Sequence, residues 1–166
     1  PPPPRLRLLR TDPHGSRPFP PPHPAADARH RLHTHWNLDA ASVLAAQCLD
    51  IQPGQAVLDM CAAPGGKSIT LAQRLWPALY VDHPSGEQQH RQRPSILHAN
   101  EVDVARHRRL HANLTSYLPP TLFEQGLVHV LRIDATSPRA VHLFPLGEEG
   151  YDRILIDAPC SSERHI

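Results

Sequence analysis

"VLDMCAAPGGKS", residues 57–68, runs from an apolar stretch to an acid, then through a loop of small residues to Lys-Ser. The apolar stretch reads as a buried strand and the residues after the glycines as a helix, so the loop joins a strand end to a helix N-terminus. Two nucleotide-binding templates compete for such a bend. A phosphate-cradling P-loop needs a glycine where Cys61 stands, and Pro64 removes another backbone donor. A dinucleotide-binding loop needs three spaced glycines, and only Gly65 and Gly66 are present. Neither template fits.

The same alternation continues in both directions. "AVLDM" (56–60) reads as the first strand, "KSITLAQRLW" (67–76) as a helix and "SILHANE" (95–101) as a second strand. Residues 102–118 read as a helix with Val102, Ala105, Leu110 and Leu114 toward the core and Arg106, Arg108 and Arg109 outward. "GLVHVLRIDA" (126–135) and "YDRILIDAP" (151–159) supply a third and a fourth strand. Upstream, Asp39 is placed to cap a helix whose apolar face holds Ala41, Val43, Leu44, Ala45 and Leu49, and Gln52-Pro53-Gly54 stops it. Strands alternating with helices predict an α/β fold: about four parallel strands, joined by right-handed crossovers, with flanking helices. Residues 77–94 are polar and broken by Pro and Gly, which predicts a surface insertion.

Residues 1–30 carry half of the twenty prolines, interleaved with Arg and His. Such a segment buries too little apolar surface to offset its ordering entropy, so a disordered arm is expected there and the folded unit in residues 31–166. A length of 166 residues suits one domain. The net charge of +1 gives no polybasic footprint, so any RNA contact is local. Three cysteines are too few for a disulfide framework and point to a reducing compartment. No apolar run approaches the roughly 18 residues of a membrane span, and no secretory signal opens the chain, which predicts a soluble intracellular protein without membrane contact. With no initiating Met, a fragment or processed product is expected.

Acids decide the ligand class. Asp59, Glu101 and Asp134 fall at the C-terminal ends of the first three strands, the edge of an open α/β sheet where ligands bind. Three carboxylates around one crevice repel a polyphosphate and suit a ligand with a diol, an exocyclic amine and positive charge. S-adenosylmethionine has all of these. Gly65 and Gly66 allow close backbone approach, and the helix beginning near Lys67 can receive a carboxylate. Just past the fourth strand, "LIDAPCSSER" (155–164) sets Asp157, Pro159 and Cys160 beside the same crevice.

Taken together, "DMCAAPGGKS", "ANEVDVARHRRL", "RIDA" and "DAPCSSER" resemble the Sun-domain (RsmB/Nop-type) family of RNA cytosine carbon-5 methyltransferases. The resemblance spans roughly residues 36–165 outside the insertion. It implies a Rossmann-like class I methyltransferase sheet, here its N-terminal part. Cys61, Ala62, Ala63, Pro64, Gly65, Gly66 and Lys67 would line the methionine end of S-adenosylmethionine. Glu101 would take the ribose hydroxyls, Asp134 would lie near the adenine, and Asp157 would face both the cofactor and the target cytosine. In such enzymes a thiolate adds to carbon 6 of the base, carbon 5 then attacks the methyl group, and an acid near ring nitrogen 3 absorbs the developing charge. The target base leaves its stack to enter the pocket.

Family members use two cysteines. Cys160 matches the one that helps release product, while the attacking thiolate comes from a Thr-Cys motif on a later strand that these 166 residues do not include. A truncated enzyme is therefore expected, its fourth strand leaving an apolar edge for a protein partner to cover. The alternative is a catalytically dead module that keeps the fold to hold cofactor or RNA. "LTSYLPP" and "DRILIDAPCSSERH" are most similar to the mitochondrial branch methylating rRNA or tRNA. That branch implies an RNA partner and a mitochondrial location, with nucleus, nucleolus or cytoplasm as alternatives. Three other features are weaker. "HRLHTH" (30–35) has no acid or Cys nearby to complete a metal set, so no metal is expected; "RHRRLH" (106–111) reads as a solvated face able to touch phosphates; the proline arm offers Pro-x-x-Pro spacing to SH3-like partners.

Overall fold

A computed structural model describes residues 32–80 and 93–158, so the proline arm, the centre of the insertion, Pro159 and Cys160 lie outside the described residues. The elements run α1 (Ala40–Gln47), β1 (Ala56–Asp59), α2 (Gly66–Leu75), a 3-10 turn (Pro77–Tyr80), β2 (Ile96–Asn100) and α3 (Val104–Tyr117). Then follow α4 (Pro120–Glu124), β3 (Val128–Leu131), α5 (Ala140–Leu143) and β4 (Arg153–Leu155). All three strand pairings are parallel and the order is β3-β2-β1-β4.

Local chemistry fixes the helix starts. The Asp39 carboxylate accepts the Ser42 N–H at 2.9 Å and caps α1, as expected; Asp103 does the same for α3 through the Arg106 N–H at 2.8 Å. Pro119 and Pro120 stop α3, and Pro120 then opens α4, where its missing N–H costs nothing.

The register Val57↔Leu97↔Val128 puts these residues, with Ala99 and Leu155, on one sheet face. Ala46 of α1, Leu71 of α2, Leu110 and Leu114 of α3 and Leu122 of α4 complete a core over that face. Both early crossovers thus cover the same side. From β3 the chain turns back past β2 and β1 to lay β4 on the far side of β1, and a crossover of unchanged hand must then pass over the opposite face. Tyr151, just ahead of β4, does reach that face: its hydroxyl lies 2.7 Å from Nδ1 of His98. Burial, then the neighbouring His129, pushes His98 down to about 4, so its ring is neutral at physiological pH.

Several expectations are corrected. The buried face of α1 is Val43 and Ala46, with Leu44 exposed. Val102 and Ala105 face solvent, because α3 begins only at Val104 and settles on the sheet from Leu110 onward. The third strand spans four residues, not ten. The short helices α4 and α5 fall where only connections were expected. Among the described residues β4 is an edge strand, and Ile154 and Ile156 beside it are exposed.

Leu114→Ala removes a side chain with no exposed surface and should lower stability by roughly 2–5 kcal/mol, whereas Leu143→Ala, at a 56% exposed position, should leave it within about 0.5 kcal/mol. Urea denaturation midpoints of the two variants check this.

Candidate functional site

The order of strands reverses between β1 and β4, and their C-terminal ends open a crevice at that point. A cleft of about 330 Å³ lies there, within the usual range for small-molecule sites of roughly 300–1,000 Å³. Its walls are the residues Asp59, Cys61–Pro64, Gly66 and Lys67 on one side, Asp157 beyond β4, and Trp36–Asp39 with Ser42 from upstream of β1.

Asp59 ends β1 at 1% exposure. Its Oδ2 accepts a hydrogen bond from the Ser68 hydroxyl at 2.6 Å, while Oδ1 is buried with no partner. Burial raises this carboxyl from 3.8 to about 6, helped slightly by Asp157 and opposed by the Ser68 hydrogen bond and the Lys67 charge. A buried acceptor without a donor is rare, and here it lines an open cleft.

The loop after Asp59 is held from both flanks. The Met60 N–H donates to Leu155 O at 2.9 Å and the Ala62 N–H to Asn100 O at 2.8 Å. The Ala63–Pro64 peptide is cis, and α3 grips both carbonyls, through Arg106 Nη2 to Ala63 O at 3.3 Å and Asn113 Nδ2 to Pro64 O at 2.7 Å. Gly65 caps α2 at φ 115°, a left-handed conformation suited to glycine, with no side chain capping the helix. At Gly66 a Cβ would meet Trp36 Nε1 at 2.7 Å and Leu38 Cδ1 at 2.9 Å. The two glycines answer different demands, one conformational and one steric.

Lys67 points its ammonium at Asp157, 2.6 Å away, and donates to Ser42 Oγ at 2.9 Å. Cys61 is half-buried, and burial, then Glu101 and Asp59, pushes its thiol up, so it stays protonated and is a poor nucleophile.

Glu101 and Asp134 lie elsewhere. Glu101, buried just past β2, accepts Arg106 Nη2 on Oε2 at 3.0 Å and the Asp103 N–H on Oε1 at 3.0 Å. Asp134 is exposed and folds onto Thr136, whose N–H and hydroxyl donate to it at 2.9 and 2.6 Å and hold its carboxyl below the ordinary range. The residues brought together at the cleft are thus Asp59, Cys61–Pro64, Gly66, Lys67 and Asp157, with Glu101 and Asp134 outside its walls.

Sequence reasoning missed Trp36, Leu38 and Ser42 as wall residues, and Asn100, Arg106 and Asn113 as supports. Asn100 joins the ends of three strands: its side chain donates to Met60 O and Ile133 O and accepts the Ile133 N–H. The need for glycine at 66 was the one readable sign that something bulky lay against it. Among the described residues no group of His, Cys, Asp and Glu could hold a metal ion, and no helix is long and apolar enough to cross a membrane. His33, from the His-rich stretch, packs edge-on against Tyr117.

With this geometry in place, comparison with known proteins is decisive. The profile of the 16S rRNA methyltransferase RsmB/F family matches residues 46–166. The chain belongs to this family. It is 38% identical over 133 residues to the mitochondrial tRNA (cytosine(34)-C(5))-methyltransferase of Danio rerio, covering 80% of this chain and 30% of that protein. It is 37% identical to the 5-cytosine rRNA methyltransferase NSUN4 of Xenopus laevis, covering 79% and 27%. The crystal structure of PH0851 superposes with a TM-score of 0.51 at 30% identity, over 74% of this chain and 22% of that one. The chain therefore spans less than a third of the length of these relatives.

Asp59→Asn keeps an acceptor for Ser68 and removes the charge. Between pH 3.8 and about 6 the folded protein retains a proton that the unfolded chain has released, so this group's contribution to stability falls as pH rises and the penalty is complete above about pH 6. The variant should be more stable than wild type at pH 8 by up to ~3 kcal/mol, with the gain shrinking toward pH 4. Urea titrations at the two pH values measure it.

Proposed function

We propose that this chain carries the cofactor-binding half of an S-adenosylmethionine-dependent RNA (cytosine-5-)-methyltransferase, residues 31–166 being the N-terminal part of that domain. One observation carries the reading: Asp59, a wall residue of the cleft, has a buried oxygen, Oδ1, without a partner, which calls for a cationic or N–H donor. The methionine ammonium supplies one. The open, uncapped N-terminus of α2 suits the methionine carboxylate, and the chain from Cys61 to Lys67 frames that end of the ligand. Glu101 and Asp134 lie outside the cleft's walls, so this assignment has the nucleoside end of the ligand extend beyond the cleft: Glu101, already fixed by two donors, keeps lone pairs for the ribose hydroxyls, and Asp134 is assigned to the adenine end.

When bound, the cofactor supplies an electrophilic methyl group. Carbon 5 of cytosine would become nucleophilic only once a thiolate had added to carbon 6, and later loss of the carbon-5 proton and of the thiol would restore the ring. Asp157 is assigned to the base, where, sharing a proton with ring nitrogen 3, it absorbs the charge developing there. Lys67, 2.6 Å from Asp157, fixes that side chain in place and sets a positive charge beside it. Cys61 is excluded as the nucleophile by its protonated thiol. Cys160, outside the described residues, is assigned to product release.

The substrate is assigned as rRNA or tRNA, and the compartment as the mitochondrion, because two of the relatives are named a mitochondrial tRNA enzyme and an rRNA enzyme. The exposed Ile154 and Ile156 mark the surface a protein partner would cover.

Isothermal titration of the chain with S-adenosylmethionine tests the cofactor site. Wild type should bind more tightly at pH 7 than at pH 5, because Asp59 titrates near 6 and only its ionised form attracts the ammonium. Glu101→Ala should weaken binding about tenfold or more, the loss of one or two charged hydrogen bonds. Absence of heat from a chain shown to be folded by circular dichroism would overturn the proposal.

A further inference from the structure

Arg106 was expected on an outward, solvated helix face, yet its guanidinium turns inward. A single nitrogen, Nη2, donates to Glu101 Oε2 at 3.0 Å and to Ala63 O at 3.3 Å. Its side chain is 41% exposed, whereas that of Glu101 is only 6% exposed, so the pair differs from an ordinary surface ion pair. Removing the cation leaves a buried carboxylate with one backbone donor, the Asp103 N–H. The same nitrogen reaches a carbonyl of the glycine-containing loop, whose next carbonyl, on Pro64, is held by Asn113 one turn pair further along α3.

We infer that Arg106 is a positioning residue that locks the Glu101 carboxylate to the loop at Ala63, so that the two halves of the cofactor site are set in register before a ligand arrives. The inference rests on the proposed reading of the cleft as a site for S-adenosylmethionine. Arg106 touches neither the cleft nor its ligand; it acts through Glu101 and the Ala63 carbonyl. Its position follows from α3 itself. Asp103 caps that helix, Glu101 accepts the Asp103 N–H, and Arg106, whose own N–H satisfies the cap, therefore starts its side chain one turn in, alongside the strand end. An arginine is suited to this because its planar, delocalised guanidinium holds that one nitrogen in a fixed direction between the two acceptors.

The test is a double-mutant cycle on the 166-residue chain, read by titration with S-adenosylmethionine at fixed pH. Arg106→Gln should weaken binding about tenfold, the scale of one charge-assisted hydrogen bond network. Glu101→Ala combined with Arg106→Gln should lose far less than the sum of the two single losses, because much of the arginine's effect passes through that carboxylate. Arg106→Lys, which keeps the charge but not the fork, should recover part of the loss, and Arg108→Gln, exposed on the same helix, should bind like wild type. Unchanged affinity in Arg106→Gln would overturn the inference, as would losses that simply add in the double variant or a drop in thermal stability with affinity intact. Failure of wild type to bind would instead overturn the reading of the cleft, and the inference would fall with it.

Discussion

The carboxyl group of Asp59 is buried at the end of the central strand with one oxygen tied to Ser68 and the other left without a donor. Burying it opposes folding, since a charge taken out of water without a full set of partners lowers stability, and the protein relieves only part of this by raising the carboxyl toward 6. The surrounding fold accommodates the cost without removing it. Central strands β1 and β2 are buried along almost their whole length, and the cluster of Leu71, Leu97, Leu110 and Leu114 holds the sheet against α2 and α3. Strain or desolvation maintained by an otherwise well-packed frame is the usual mark of a site built for something else to complete it.

The cleft needs a wall that the Rossmann-like unit does not itself provide. It comes from the residues ahead of α1, where Trp36 and Leu38 press on Gly66 and Trp36 also meets Tyr117 edge-on at 5.1 Å. Because Gly66 lacks a Cβ, the indole can approach the first turn of α2 closely, and the same packing brings Ser42 within reach of Lys67. One steric requirement thus places both an aromatic wall and a hydrogen-bond acceptor for the lysine. The lysine in turn reaches across to Asp157, so three segments far apart in sequence converge on one ammonium group.

Much of this was legible in the sequence, for physical reasons that also explain what was not. Strand and helix alternation identified the parallel sheet, since buried apolar runs such as Val57–Asp59 and amphipathic stretches such as residues 104–117 carry the periodicities that burial imposes. The loop from Cys61 to Lys67 announced itself through its composition, and Asp39 through its place before a helix. What periodicity cannot convey is which strand-end carboxylates share a cleft. Asp59 and Asp157 do, because β4 lies beside β1; Glu101 turns instead toward Arg106 and Asp134 toward Thr136, choices made by neighbours one to five residues away. Arg106 was misread for the same reason: helical spacing gives the direction of Cβ, and a long side chain can bend back from there to a buried partner. Trp36 and Ser42 were invisible as wall residues because only tertiary packing brings them to the loop.

The division of the acids has a consequence for ligand choice. Three carboxylates (Asp39, Asp59 and Asp157) line the cleft against one ammonium, Lys67, leaving a deficit of two positive charges when all are ionised. Coulomb interactions in a partly enclosed site are stronger than in water, so the cleft favours a cation over a neutral molecule of the same shape. Under the proposed reading these residues meet a cofactor bearing an ammonium, a sulfonium and a carboxylate, net positive, before transfer, and a product lacking the sulfonium charge afterward. The same side chains that hold the reactant therefore hold the product less well. Pairing Glu101 with Arg106 and closing Asp134 on Thr136 leaves Asp59, among the described residues, as the acid with a buried oxygen that has no partner.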